Sequence, residues 1–240
     1  MPRRIEHVHE LEYFAGGVPT GASFKLRLNE LREIVLQASD GHRESVGGLA
    51  YIGLTAYFES FFKDHFGSMV SIVPSLTTNL AARGHETHID MALLTKSETD
   101  LRHRLGFYLA ERYDFGTPQK VNAVFGALLG LSPFSKDEAT KYDRVLHDRN
   151  LLVHHGGTYT TSYLKAAAKR FGTDEPSRAY WDGLRISPNR FQDDANLVDS
   201  IGRKVIKSSH AAISRYVQDN GIVLRGARRK ALEYSQWWDE

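Results

Sequence analysis

Ser135-Lys-Asp-Glu138-Ala-Thr-Lys-Tyr142-Asp-Arg-Val-Leu-His147-Asp-Arg149-Asn150-Leu-Leu-Val-His154-His155-Gly156-Gly157 is a whole helix written out in residues. A serine followed three residues later by a glutamate satisfies two orphan backbone N–H groups reciprocally, so the helix starts here. Ala139, Tyr142, Val145, Leu146, Leu152 and Val153 recur at helical spacing. The glycine pair ends it, because glycine takes the left-handed turn that closes a helix. The same grammar repeats along the chain. Thr117-Pro118 starts a helix to Leu131, and Ser187-Pro188 starts the longest one, to Asp219, stopped by Asn220-Gly221. Ser97-Glu-Thr-Asp100 opens another to Tyr113. Further helices are expected over 26–39, 45–66, 68–82 (with a break at Pro74) and 226–237. The segment from Thr158 to Ser187 carries Gly172, Pro176 and Gly183 and is read as irregular, with a short strand at Leu184 to Ile186. Strand signals are otherwise scarce, so the fold class is all-α, an up-and-down helical bundle with that short insertion before the last long helix.

The chain has 240 residues, 41% hydrophobic and 25% charged, which is ordinary composition for one globular domain with decorations. The expected division is an N-terminal segment 1–44 with a short helix, a helical domain 45–220, and a C-terminal helix 221–240 packed on it. There are no cysteines, which excludes disulfides, thiolate metal sites and cysteine nucleophiles and suits a cytoplasmic protein. No apolar core follows the charged first residues, and no run is long and apolar enough to span a bilayer, so neither a secretory signal nor a membrane is expected. Net charge is only +2. Its distribution is uneven: between residues 203 and 230, Arg203, Lys204, Lys207, Arg215, Arg225, Arg228, Arg229 and Lys230 face a single acid, Asp219. That is either a solvated helical face or a surface for RNA phosphates.

Several chemistries are ruled out by missing motifs. The chain has no phosphate-cradling Gly-x-x-x-x-Gly-Lys-Ser/Thr loop, no His-Glu-x-x-His and no Gly-x-Ser-x-Gly. His85-Glu-Thr-His88 has the wrong spacing for two ligands on one helical face, so no metal and no cofactor are expected. What remains is the end of the quoted helix. Asn150 and His154 are i, i+4 neighbours, and Arg149 on their flank has a side chain long enough to reach round. A cation, an amide and a titratable imidazole together suit gripping a phosphate and moving a proton.

Arg149-Asn150-x-x-x-His154, late in a helix, resembles the Arg-x4-6-His motif of HEPN domains, in which a polar residue commonly follows the arginine. An early buried helix with an acid, Glu59 in Ala-Tyr-Phe-Glu59-Ser-Phe-Phe, and a variable segment before a long last helix are similar to the same family. The resemblance spans about 45–219. It implies a metal-independent endoribonuclease that cleaves RNA by 2′-hydroxyl attack. The implied catalytic set is Arg149, Asn150, His154 and Glu59, with the motif helices of two protomers meeting in a homodimer with a composite active site. It further implies a toxin or phage-defence effector, with an antitoxin or other defence-system partner. The tyrosine that one subgroup carries two residues after the motif histidine is Gly156 here.

Other readings of the same residues stay open at this point. Arg followed by His five residues on also occurs at Arg4/His9 and Arg83/His88. His154 and His155 suit the negative end of the helix dipole as simple caps. Glu59 can pair with Arg149 across two helices or with Lys63 on its own. The alternatives in function are a non-catalytic module of the same type that binds RNA or nucleotides, and a helical interaction scaffold.

Overall fold

A computed structural model describes residues 9–89, 103–171 and 179–238. Among these residues nine α-helices and no strand occur. They are α1 (Thr20–Gln37), α2 (Arg43–Ile72), α3 (Thr77–Ala82), α4 (Leu105–Ala110), α5 (Pro118–Leu129), α6 (Lys136–His155), α7 (Thr161–Phe171), α8 (Pro188–Asp219) and α9 (Ala227–Tyr234). Short 3-10 turns lie at Glu10–Tyr13, Ala15–Gly17 and Pro74–Leu76. None of the helices is long and apolar enough to cross a membrane.

The predicted caps form as read. The side chains of Thr117, Ser135 and Ser187 accept from the backbone N–H of Lys120, Glu138 and Arg190. Gly156, at φ 58°, closes α6 in the left-handed region. These signals hold because capping is local: a hydroxyl and an amide three residues apart meet whatever the rest of the chain does.

α2 is the central element, packed against α1, α4, α6 and α8. Tyr51, Leu54, Phe58, Phe62, Phe66 and Met69 are all buried on it. Phe58 meets Phe62 at 4.8 Å between ring centroids and Tyr142 of α6 edge-on at 5.2 Å. Its passage across α4 is too close for a side chain. A Cβ on Gly106 would lie 2.0 Å from the carbonyl oxygen of Gly67. One hydrophobic core runs from Tyr13 to Trp238, so the described residues before α2 and after α8 pack on the same core as those between. Trp238 packs its indole on Phe24 and Phe61, and a Cβ on Gly202 of α8 would lie 2.3 Å from that ring. The indole Nε1 donates to Asp199 at 3.2 Å.

Four expectations are corrected. α1 starts at Thr20, not at 26, and α2 begins at Arg43 and continues to Ile72, because Gly67 does not break it but makes room for Phe107 of α4, and the Ser68 hydroxyl donates back to the Asp64 carbonyl of the same helix. The stretch read as irregular holds α7, whose Leu164 and Ala167 are buried. The strand expected at Leu184 to Ile186 is absent; only an isolated antiparallel bridge, Thr158 to Gly183, forms there. The start expected at Ser97 lies outside the described residues; of that helix, Leu105–Ala110 is described.

One buried group makes the core sensitive to acid. His65 lies between Phe61 and Phe125, with Nε2 2.6 Å from Ser209 Oγ, and burial pushes its pKa down to about 3. An unfolded histidine takes up its proton near pH 6.5. Below that pH the unfolded chain is protonated at His65 while the folded one is not, so stability falls progressively from about pH 6.5 toward pH 3. Urea midpoints followed by circular dichroism should drop with pH over this window, and His65→Gln should drop less steeply. Equal slopes in the two proteins would remove His65 as the cause.

Candidate functional site

α6 turns two faces to two tasks. Tyr142, Val145, Asp148 and Leu151, at i, i+3, i+6 and i+9, are buried. Asp143, His147, Asn150 and His154, at i, i+4, i+7 and i+11, share another flank. A cleft of about 250 Å³ opens along part of that flank. It is lined by Glu59 of α2, by Gly116 and Thr117 at the start of α5, and by Asp143, Leu146, His147, Arg149 and Asn150.

Three of the four predicted catalytic residues, Glu59, Arg149 and Asn150, therefore share one cleft, and His154 does not line it. Asn150 and His154 are four residues apart, roughly 6 Å along the axis. His154 and His155 are exposed in the last turn of α6. Arg149 Nη1 donates to Asn150 Oδ1 at 2.9 Å, and Arg149 Nε is buried without a hydrogen-bond partner. Glu59 is exposed, and among the described residues it forms an ion pair with neither Arg149 nor Lys63. The two groups still act on a common neighbour. Burial raises the pKa of Tyr142, the Glu59 carboxylate raises it further, and the Arg149 guanidinium opposes both. Arg83, which has the same spacing to a histidine, donates to the carbonyl of Gly126 and so closes α3 onto α5.

Sequence reasoning missed two residues next to Arg149. His147 lines the cleft and stacks on Tyr163 of α7, 4.4 Å between centroids and 7° between planes. Asp148 is 1% exposed and accepts from Arg190 of α8 and from the hydroxyl of Tyr163. Beside them Tyr51 of α2 donates to Asp194 of α8 at 2.8 Å. Burial opposes the charge of Arg190, but the Asp148 carboxylate holds its pKa above the ordinary value. Four helices thus meet at one buried polar cluster directly behind the motif. The signal for it was an acid at a core position of a helix, flanked by apolar residues three before and three after.

The basic stretch lies elsewhere. α8 runs antiparallel to α6, because Arg190 meets Asp148 and Lys204 meets Glu138. Lys204 is therefore about 24 Å along α6 from the turn that carries His154, and Lys207 and Arg215 lie further away along α8. Lys230 pairs with Glu10 at 3.3 Å and Arg229 with Glu233 at 3.6 Å, while Arg203, Lys207, Arg215 and Arg225 are exposed and Arg228 is half-buried. Among the described residues, no three His, Asp or Glu side chains converge as metal ligands would.

Exposed apolar side chains stand on the segments that meet the end of α6. A Cβ on Gly48 of α2 would touch Leu152, and so would one on Gly157. Next to these contacts in the chain stand Leu49, 70% exposed, and Val153, 46% exposed. Backbone hydrogen bonds tie Tyr180, Asp182 and Leu184 to Tyr159 and Gly157, and this turn presents Trp181, 82% exposed. Tyr180 holds φ at 68°, an uncommon left-handed conformation for an aromatic residue.

Comparison of the chain with family models, with curated proteins and with solved structures gives no match.

Proposed function

We propose that the protein is a metal-independent endoribonuclease of the HEPN type, acting on RNA as a homodimer. The observation that carries this reading is the state of Arg149. It is a guanidinium that, among the described residues, pairs with no carboxylate, held at a cleft by the neighbouring Asn150, about one helical turn before an exposed histidine. An unpaired cation beside an open cleft is available to a ligand, and a phosphate at the cleft's mouth matches it in charge and geometry. In this reading the substrate's 2′-hydroxyl attacks the adjacent phosphate, His154 transfers protons as base or acid, and Arg149 stabilises the charge that builds on phosphorus. Asn150 orients the guanidinium through its bond to Nη1.

The same geometry supports the dimer reading. His154 stands outside the cleft in one protomer, and a single exposed helix end excludes little water. Leu49, Val153 and Trp181, exposed on the segments that meet this helix end, supply apolar surface of the kind that a self-complementary interface covers. Two α6 ends facing each other across a two-fold axis bring the histidine of one protomer toward the cleft of the other. Action in the cytoplasm as a toxin or defence effector, with an antitoxin or other system partner, completes the reading and rests on the family likeness alone.

The test is cleavage of end-labelled single-stranded RNA by the purified protein in EDTA, with His154→Ala alongside and light scattering on both. Expected are a dimer at micromolar concentration, products ending in 2′,3′-cyclic phosphate, and no cleavage by the variant. Activity that magnesium restores after EDTA, or a monomer that cleaves, would overturn the mechanism or the dimer respectively. A second reading is favoured by the position of His154 outside the cleft: a module that binds RNA without cutting it. RNA binding equal in wild type and His154→Ala, with no cleavage by either, would establish that one.

A further inference from the structure

Glu59 has no task in the chemistry above, and its position gives it another. We infer that the cleft between Glu59 and Arg149 is a nucleobase subsite that selects guanine. The inference rests on RNA as the substrate but is read out by binding, without cleavage.

The argument starts from charge. Two carboxylates, Glu59 and Asp143, line the cleft against one guanidinium, Arg149. An anion drawn fully inside would meet more repulsion than attraction, so the interior suits a neutral group, and phosphate belongs at the mouth. The next constraint is hydrogen bonding. A carboxylate only accepts and a guanidinium only donates. Asp143 already accepts from Gln119 at 3.1 Å. Glu59 and Arg149 share the cleft yet stand beyond ion-pair distance, so each keeps capacity that the other does not use. An occupant must therefore offer donors to one wall and acceptors to the other.

Guanine is the base that does both along continuous edges. Its N1–H and N2–H₂ are adjacent donors that match the two oxygens of Glu59. Its O6 and N7 are the acceptors that an arginine takes in its fork. Adenine has no N1–H, cytosine offers the carboxylate only its N4–H₂, and uracil presents one N–H between two carbonyls. Size agrees. About 250 Å³ lies below the usual range for drug-sized ligands and is adequate for a single base. The flat imidazole of His147, backed by Tyr163, forms part of the lining, and a planar ring in the wall suits a planar ligand. Arg149 donates one N–H to Asn150 and has others for both base and phosphate.

The experiment is calorimetric titration with GMP, IMP, AMP, CMP and UMP, whose shared phosphate cancels in the comparison. GMP should bind on the order of 10–100-fold more tightly than AMP, CMP or UMP. IMP, which lacks only the N2 amino group, should fall between. Glu59→Gln should erase the preference for GMP while keeping the wild-type melting temperature, since Glu59 is exposed. Glu59→Asp, with the carboxylate retained, should keep part of it. Equal binding of the five nucleotides, or a GMP preference that survives in Glu59→Gln, would overturn the inference. Failure here and failure of the ribonuclease reading look different. GMP selectivity that depends on Glu59 in a protein that cuts no RNA supports the guanine subsite and removes the enzyme. Cleavage indifferent to the flanking base, with no GMP selectivity, overturns the subsite and leaves the enzyme.

Discussion

On the ribonuclease reading, Arg149→Ala and His154→Ala should each lower RNA cleavage by on the order of 10²–10⁴, the usual cost of one positioned charge or one proton-transfer group, while the helical circular dichroism stays unchanged. The structural ground for separating activity from stability is that, among the described residues, neither side chain carries a tertiary ion pair. There Arg149 donates to Asn150, its neighbour in the chain, and His154 is exposed in the last turn of α6. Arg149→Lys should be impaired as well, since an ammonium lacks the planar fork. Asn150→Ala should be affected less, because the proposed role of Asn150 acts through Arg149. His155→Ala should be mild, since it points about 100° away from His154. Arg83→Ala and His88→Ala are the internal control. They share the motif's spacing, but Arg83 serves the carbonyl of Gly126, so both variants should stay active. Rates on labelled RNA decide the matter. Full activity in Arg149→Ala or His154→Ala, with Arg83 or His88 essential, would transfer the site to the wrong-looking pair and end the ribonuclease reading of α6.

Asp148→Ala does the opposite. It removes a carboxylate that is 1% exposed and leaves the Arg190 guanidinium and the Tyr163 hydroxyl without their acceptor. Breaking one side of a buried pair costs about 3–5 kcal/mol, since the remaining charge stays desolvated. In a chain of this size that lowers the melting temperature by roughly 10 °C. Asp148→Asn, which still accepts a hydrogen bond but carries no charge, falls between. Differential scanning calorimetry of Asp148→Ala beside Arg149→Ala puts two neighbours in the sequence to the test. The first should melt far earlier and the second close to wild type. Similar melting of the two would mean that the Asp148 cluster does not hold these helices together.

How much of this was legible in the residues divides by range of interaction. Thr117, Ser135, Ser187 and Gly156 were readable because a cap is satisfied within a few residues. α7 was not, since Gly172, Pro176 and Gly183 are strong local breakers, whereas the helical spacing of Tyr163, Leu164 and Ala167 gains its meaning from packing against α6. The sequence placed Arg149, Asn150 and Glu59 as candidates, and the cleft unites them. It could not place His147, because the opposite wall comes from Gly116 and Thr117, a loop and a cap with no pattern pointing to α6. Asp148 escaped notice for a similar reason: an acid at a buried position makes sense only once Arg190 and Tyr163 arrive from two other helices.

The seat of Trp238 makes three helices answer to one side chain. Its indole fills the close space left by Gly202 and lies on Phe24 and Phe61, so α1, α2 and α8 share a single junction. The carboxylate of Asp199 that accepts from the indole also accepts from Lys25 and Arg32 of α1, so the ring closes a polar knot as well as an apolar one. A change at this one position therefore loosens three helices together, where a change on one helix face disturbs only a pair.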